Sequence, residues 1–388
     1  MNNTRQPLRR VCAVLIGIVF FVAGLLKLQD PVGAGLVVKE YFSFFHVSFL
    51  DGLSKPIGTL MAFVETVCGF MLMAGVARKA TAMLTMALTA FFTLITILLV
   101  IFNPIMDCGC FGEAVHLSHV QTLVKNIVIC ALCAAAFLPL GKISERPDAV
   151  RTLATVAVVM ALAFFGVWSW LRLPSVDFMA FKPGAILRAA SDDASSDTLF
   201  IYTRGSQEGA FTSNRMPDST WTYQRLEASG ADEYFAGGDR VDLPVRNIDG
   251  EYCDVQLAYG DVALFSVYDD MSTDKWMELS DAVAEASAAD FTCFVLMPDA
   301  ELAPMDLSDY ALSADRKTIL MLNRSNGGAT WLRDGVVIRK WASSQIPDMD
   351  GWFKAMEKDA DATRMDYIRN GRLRLEGFAL YSMLLMIL

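Results

Sequence analysis

Apolar residues run almost unbroken through five stretches of the chain: roughly Val11 to Leu26, Pro56 to Val76, Ala80 to Phe102, Val120 to Leu140 and Thr152 to Leu171. Each approaches the roughly 20 residues that a helix needs to cross a bilayer, so the pattern predicts five spanning helices. A sixth stretch, Phe378 to Leu388, is about half that length, and extending it back to Leu373 would require Arg374 to snorkel toward the interface. Beyond the fifth span the pattern turns polar. Turns such as Ser191 to Ser196 and Gly205 to Gly209 punctuate strand-like runs at Thr198 to Thr203 and Thr220 to Arg225. Residues 173–250 read as a β-rich subdomain or an elaborated linker. From residue 251 to 346 the order is strand, helix, strand, helix: Val262 to Tyr268, Lys275 to Ser287, Phe291 to Met297 and Ala303 to Leu312. The order closes with an element at Thr318 to Leu322 and a hairpin of Ala329 to Arg333 with Val336 to Trp341, turning at Asp334-Gly335. Residues 347–388 form a tail.

Composition agrees with membrane spans. With 54% hydrophobic residues, 20% charged residues and a mean hydropathy of +0.38, the chain falls outside the soluble globular class. Residues 1–172 carry 13 Lys and Arg against 8 Asp and Glu, while residues 173–388 carry 20 against 35. The acidic second half argues against a nucleic-acid partner. Basic residues flank alternate ends of the spans: Arg5, Arg9 and Arg10, then Arg78 and Lys79, then Lys142, Arg146 and Arg151. By the positive-inside rule the amino terminus is cytoplasmic. The loops Gln29 to Lys55 and Asn103 to His119, and everything from Leu173 to about Arg372, then lie outside. Arg369, Arg372 and Arg374 stand on the outer side of the sixth stretch, against the rule. No small-residue cleavage site follows Lys27-Leu-Gln-Asp30, so the first span reads as retained.

On the outer loop after the third span lie Cys108, Gly109 and Cys110. A chain of two residues reaches at most about 7 Å, and a disulfide needs about 4.4 to 6.8 Å between Cα atoms. The small ring so formed would be strained, which suits an exchangeable bond. A redox pair, a structural disulfide or packing, and metal binding all remain open. The metal reading draws on His116 and His119, which extend the loop to Cys-x-Cys-x5-His-x2-His. Ser118 and Gln121 form a capping-box pattern that predicts the next helix start. Within the second span Glu65 is a carboxyl in an apolar run, expensive unless it faces the bundle interior, and Lys27 is its candidate partner. Its roles are proton relay, cofactor polarisation or an interhelical pair. Cys68 shares the face of Glu65, and Cys130-Ala-Leu-Cys133 sits mid-span, where a thiolate is disfavoured.

The run Phe21 to Pro31, the run Glu65 to Gly75, Cys108-Gly-Cys-Phe-Gly112 and Lys125-Asn126 together resemble the DoxX/MauE family of four-helix membrane proteins over about residues 8 to 140. The resemblance implies a four-span bundle at residues 1–143, with a fifth span at 144–172. It also implies membrane redox chemistry: MauE-type members are associated with disulfide formation, and DoxX-type members with quinone-coupled sulfur oxidation. It places the chain in a bacterial inner membrane, in contact with lipid.

Residues 251–346 resemble a thioredoxin-like domain. The whole outer region, notably Asn323-Arg-Ser-Asn326 and Leu332 to Trp341, is similar to the tail of Bacteroidota DoxX proteins. Where thioredoxins place Cys-x-x-Cys, this chain has Asp270-Met-Ser-Thr-Asp274, and Gly327-Gly328 stands where they carry a proline. Such a domain binds or presents rather than exchanges. Cys253 and Cys293, the cysteines of the outer region, are candidates for a disulfide. The expected protein is therefore an α-helical membrane bundle followed by an α/β soluble domain. Its candidate function is a thiol-disulfide oxidoreductase acting on a periplasmic thiol protein, with a quinone as candidate cofactor. The alternative is a non-enzymatic anchor or assembly factor.

Overall fold

A computed structural model describes residues 5–104, 109–140, 143, 149–188, 198–204, 207–211, 222–228, 240–257 and 259–387. The chain divides into two compact units, one of Met1–Met179 with Ile368–Leu388 and the other of Ala180–Tyr367.

The first unit contains helices α1 (Arg5–Leu28), α2 (Pro31–Phe44), α3 (Ser54–Ala74), α4 (Arg78–Phe102), α5 (His119–Phe137) and α6 (Ala149–Trp170). Among the described residues, five helices are long and apolar enough to span: Gln6–Leu28, Ser48–Ala74, Arg78–Phe102, His119–Phe137 and Ala149–Trp170. They coincide with the five apolar stretches. In lipid, helices bind one another through close van der Waals contact and small residues rather than the hydrophobic effect. The α1–α3 interface follows that rule: a Cβ on Gly24 would overlap the Thr66 backbone, and one on Gly69 the Phe21 backbone.

Helix α2 corrects the reading of residues 29–55 as a loop. Asp30 caps it, its Oδ1 accepting from Gly33 N at 2.9 Å, and Pro31 occupies the first helical position. Pro31, Gly33, Ala34, Gly35 and Val38 are buried, and a Cβ on Gly58 of α3 would come within 2.6 Å of Ala34 O. The helix is too short to span, and its buried face is made of small residues, so neither length nor hydrophobic periodicity announces it.

In the second unit the described strands form a seven-stranded sheet in the order β6-β2-β11-β10-β7-β8-β9 and a separate antiparallel sheet in the order β4-β3-β5. Strand β1 (Cys110–Glu113) belongs to the first unit. The others are β2 (Ile186–Arg188), β3 (Thr198–Arg204), β4 (Gln207–Phe211), β5 (Thr222–Ala228), β6 (Arg240–Asp242), β7 (Asp261–Ser266), β8 (Thr292–Met297), β9 (Ala311–Ser313), β10 (Gly328–Arg333) and β11 (Val336–Trp341). Helix α7 (Thr273–Ala288) connects the parallel pair β7–β8, while β10 runs antiparallel to both β7 and β11. Strand β7 is buried along nearly its whole length, as the centre of a covered sheet must be. Asp334 and Gly335 turn the hairpin with φ of 48° and 73°, the pair of positive values that a two-residue I′ turn requires. The core gathers Phe265, Phe291, Trp331, Trp341 and Trp352, with ring centroids as close as 4.9 Å.

One expected element differs. The helix expected at Ala303 to Leu312 is replaced by 3₁₀ turns at Ala300–Leu302 and Ser308–Tyr310 leading into β9. Pro304 forbids the helical hydrogen bond there, and Asp306, Ser308 and Asp309 favour turns. The element expected at Thr318 to Leu322 is helix α8 (Arg316–Leu322), started by Asp315, whose Oδ2 accepts from Lys317 N and Thr318 N at 3.0 and 3.3 Å.

Two further helices end the chain, α9 (Met349–Glu357) and α10 (Ala360–Ile387). Helix α10 is not among the five spanning candidates. Within the first unit, its Leu375, Phe378 and Ala379 pack against the core of α1, α3 and α6, the Phe378 ring 4.7 Å from that of Phe165.

Candidate functional site

Glu65 and Lys27 are brought together. Their carboxylate and ammonium form an ion pair between α3 and α1, with side-chain exposures of 8% and 14%. The geometry follows from the glycine contacts: Gly24 lets the two backbones touch at Thr66, which leaves Lys27, one turn further along α1, free to reach Glu65. The Lys27 ammonium also lies 5.7 Å from the centre of the Phe92 ring on α4.

Strand β1 sits over this pair. A Cβ on Gly112 would lie 3.7 Å from Lys27 Cγ and 3.8 Å from Leu26 O, so the strand rests on the last turn of α1. Gly109 enters it with φ of 64°, and a Cβ there would drive into the Val37 side chain of α2. The Gly between the two cysteines thus permits both the left-handed turn and the approach to α2. Cys110, half-buried at the start of β1, stands within electrostatic reach of the Glu65 carboxyl, as does Lys125 of α5. Cys108 lies outside the described residues.

Lys125 is the residue that patterning did not single out as chemistry. Its ammonium stands 5.1 Å over the ring of Phe111, the neighbour of Cys110. The signal was a lysine inside an apolar helix, masked by its place near the helix start, where lysines commonly snorkel. Asn126 beside it is buried, its Nδ2 donating to Thr96 Oγ1 at 2.9 Å and to Phe92 O at 3.4 Å. Below this, Thr93 meets Cys130 at 3.5 Å and Thr89 meets Cys133 at 3.9 Å. A ladder of polar pairs therefore joins α4 to α5, which is how helices adhere in lipid. Cys68 is buried among Cys12, Ile16 and Phe20 in an apolar cluster. Ser118 and Gln121 form both bonds of the capping box that starts α5.

His116 faces Glu113 at 4.0 Å, and His119 is the first residue of α5. Among the described residues no three His, Cys, Asp or Glu side chains converge as a metal site.

In the second unit the Asp270 to Asp274 segment leads into α7, where Ser272 Oγ accepts from Lys275 N at 3.4 Å. The Asn323-Arg-Ser-Asn326 motif is a clamp on the preceding loop. Asn326 Oδ1 accepts from Tyr268 N and Asp269 N at 2.8 and 3.2 Å, its Nδ2 donates to Asp269 O at 2.9 Å, and Tyr268 OH donates to Arg324 O at 2.7 Å. Burial, followed by the nearby Asp269 charge, pushes the Tyr268 phenol upward, so it stays a donor. Cys253 and Cys293 are not bonded to each other, which corrects the candidate disulfide. Cys293 Sγ instead donates to Phe291 O at 3.5 Å, and burial pushes its thiol up to about 12. Beside α7 lies a cleft of about 350 Å³ with Leu279 and Ile346 in its wall, carrying Glu278, Asp281, Glu285 and Asp348 against Lys275.

An intramembrane ion pair under a short strand with a Cys-x-Cys sequence sets the context for comparison with known proteins. Residues 5–139 match the family model described as methylamine utilisation protein MauE. The membrane part is MauE-like. Protein TlpB of Flavobacterium psychrophilum is 22% identical over 157 residues, which is 39% of this chain and 43% of that protein. This chain therefore matches less than half the length of that relative. No solved structure matches. The MauE-like match contains α1 to α5, and with them Lys27, Glu65, Cys110 and Lys125.

Proposed function

We propose that this MauE-like membrane protein is a thiol-disulfide relay that acts through Cys108 and Cys110. The observation that carries the reading is the seating of the Cys110 strand over the buried Lys27–Glu65 pair. A structural disulfide has no use for an ionisable pair placed beneath it in lipid, where charges are costly and mark function by default. A client dithiol attacks the Cys108–Cys110 disulfide, the S–S bond breaks, and the client leaves with a new disulfide. The two electrons and two protons now held by the pair pass to a membrane quinone as the electron-accepting substrate. Glu65 serves as the proton station. The Lys27 ammonium and the Phe92 ring give the neighbourhood a donor and an aromatic face of the kind a quinone head uses.

In this reading the amino terminus is cytoplasmic and the second unit periplasmic, in a bacterial inner membrane, as the Lys and Arg distribution suggests. Residues 251–346 act as a thioredoxin-like domain without reactive sulfur. The order β11-β10-β7-β8, with α7 between the parallel strands, supports that assignment. A second reading, a non-enzymatic anchor or assembly factor, is favoured by the acidic cleft beside α7, which suits a lysine- or arginine-bearing segment of a partner.

Differential alkylation of Cys108 and Cys110 in intact cells, with the quinone pool oxidised or reduced, separates the two. A relay predicts that the redox state of the pair follows the pool. A pair that stays oxidised throughout, with client oxidation unchanged when both cysteines are serine, leaves the anchor.

A further inference from the structure

Two guanidinium groups converge on one indole at the carboxyl end of α6. Arg172 lies just beyond that end, where Leu171 N donates to Trp168 O at 3.3 Å and turns the chain back. Its Cζ stands 5.3 Å from the centre of the Trp168 ring. Arg374 arrives from α10, with its Cζ 6.0 Å from the same centre. Its approach is fixed on both sides along that helix. One turn before it Gly371 meets the Ser175 carbonyl with no room for a Cβ, and one turn after it the Phe378 ring stacks on Phe165 at 4.7 Å. Both arginines are exposed, while Trp168 is half-buried. Among the described residues neither arginine makes an ion pair, and Glu376, the nearest carboxylate along α10, is held by Arg372 at 2.5 Å.

We propose that Arg172 and Arg374, held on Trp168, bind the phosphate of an anionic phospholipid in the leaflet that surrounds this end of α6. The surroundings decide the occupant. Helix α6 is long and apolar enough to span, and it leaves Phe164, Val167 and Leu171 exposed as a lipid-facing flank. An indole at the end of such a helix sits at the level of the headgroups. An anion that reaches the two guanidiniums there carries acyl chains that can lie along the flank. Like charges brought to one ring repel each other, and a phosphate between them replaces that repulsion with two attractions. The guanidinium suits the task, because it stacks on an aromatic face and keeps its N–H edge for bidentate contact with phosphate oxygens. On the orientation proposed above, the pair stands on the outer side, where Lys and Arg are ordinarily sparse, and a headgroup ligand gives it a local use. The site goes beyond the relay reading and does not depend on it.

The test is titration of the full-length protein, delipidated in detergent, with phosphatidylglycerol or with phosphatidylcholine, the bound lipids being counted by native mass spectrometry. The unmodified protein is expected to take up phosphatidylglycerol in preference to phosphatidylcholine. Arg172→Gln/Arg374→Gln is expected to weaken phosphatidylglycerol binding about thirtyfold and each single variant about fivefold, one basic residue's share apiece, with phosphatidylcholine unchanged. Trp168→Leu keeps an apolar side chain but removes the platform, and it should fall between the single and double arginine variants. If the double variant loses monodispersity, the two single variants and Trp168→Leu supply the same reading. Equal uptake of the two lipids by the unmodified protein overturns the proposal, as does phosphatidylglycerol binding that is unchanged in the arginine variants or lost in step with phosphatidylcholine. Displacement of phosphatidylglycerol by millimolar inorganic phosphate would make the ligand a free anion and overturn it equally.

Discussion

Lys27 closes on Glu65 across the α1–α3 interface, joining residues 38 positions apart in an apolar setting. Removing one member of a buried pair strands the other charge, at a cost of about 3 to 5 kcal/mol, whereas replacing both by apolar residues of similar size is often neutral. Glu65→Gln should therefore lower the melting temperature in detergent strongly, and Lys27→Met/Glu65→Leu should recover most of it. A double variant as unstable as the single one would mean that the pair is part of a wider network.

The α1–α3 crossing gives a steric prediction. Because a Cβ at Gly69 would overlap the Phe21 backbone, side-chain adjustment cannot relieve the clash, and the helices must separate. Gly69→Val should destabilise the bundle by more than Gly166→Val, where the approaching atom is the flexible tip of Leu28 at 3.3 Å. Comparison of detergent melting temperatures measures the difference.

What could be read directly from the chain was whatever depends on one residue's own environment. Five spans followed from uninterrupted apolar runs, and Glu65 stood out because a carboxyl in lipid needs a reason. The β7 to β8 crossover and the β10–β11 hairpin were also legible, since β7 is an apolar run and Asp334-Gly335 is one of the few dipeptides that such a turn favours. What stayed hidden depends on partners distant in sequence. Helix α2 is recognisable as an element once Asp30 is seen capping it, but its burial comes from small residues meeting α3. Lys125 shows its contact only in the folded chain, where its ammonium lies 5.1 Å over the ring of Phe111. The Asn323 to Asn326 run could be noted as a motif, yet its role as a clamp needs Tyr268 and Asp269, more than fifty residues earlier.

That clamp yields a local prediction. Asn326→Ala removes the acceptor of two backbone N–H groups and the donor to Asp269 O; the part-buried Tyr268 N–H loses its partner at a cost of about 1 to 3 kcal/mol, while the exposed Asp269 groups turn to water. Hydrogen exchange at Tyr268 and Asp269 should accelerate while the amides of β8 remain protected. Asn326→Asp keeps the acceptor but loses the donor, so it should fall between. Uniform loss of protection across the unit would instead make Asn326 a determinant of global stability.

Cys293 supplies the pH dependence. Its thiol is held up to about 12 by burial, against an ordinary value of 9.0. At pH 8 the thiolate fraction is therefore about a thousandfold below that of an unshifted cysteine, since each pKa unit is a factor of ten. Iodoacetamide should leave Cys293 unmodified in the native protein and label it readily in denaturant, whereas half-buried Cys253 reacts in both. The linkage has a definite sign. The folded state keeps the proton more tightly than the unfolded state, so the stabilisation is fully present below pH 9 and is lost as pH rises from about 9 to about 12, to a limit of about 4 kcal/mol. Cys293→Ala removes the titration along with some packing, and its stability should fall less steeply across that window. An identical alkaline slope in the variant would assign the pH dependence to another group.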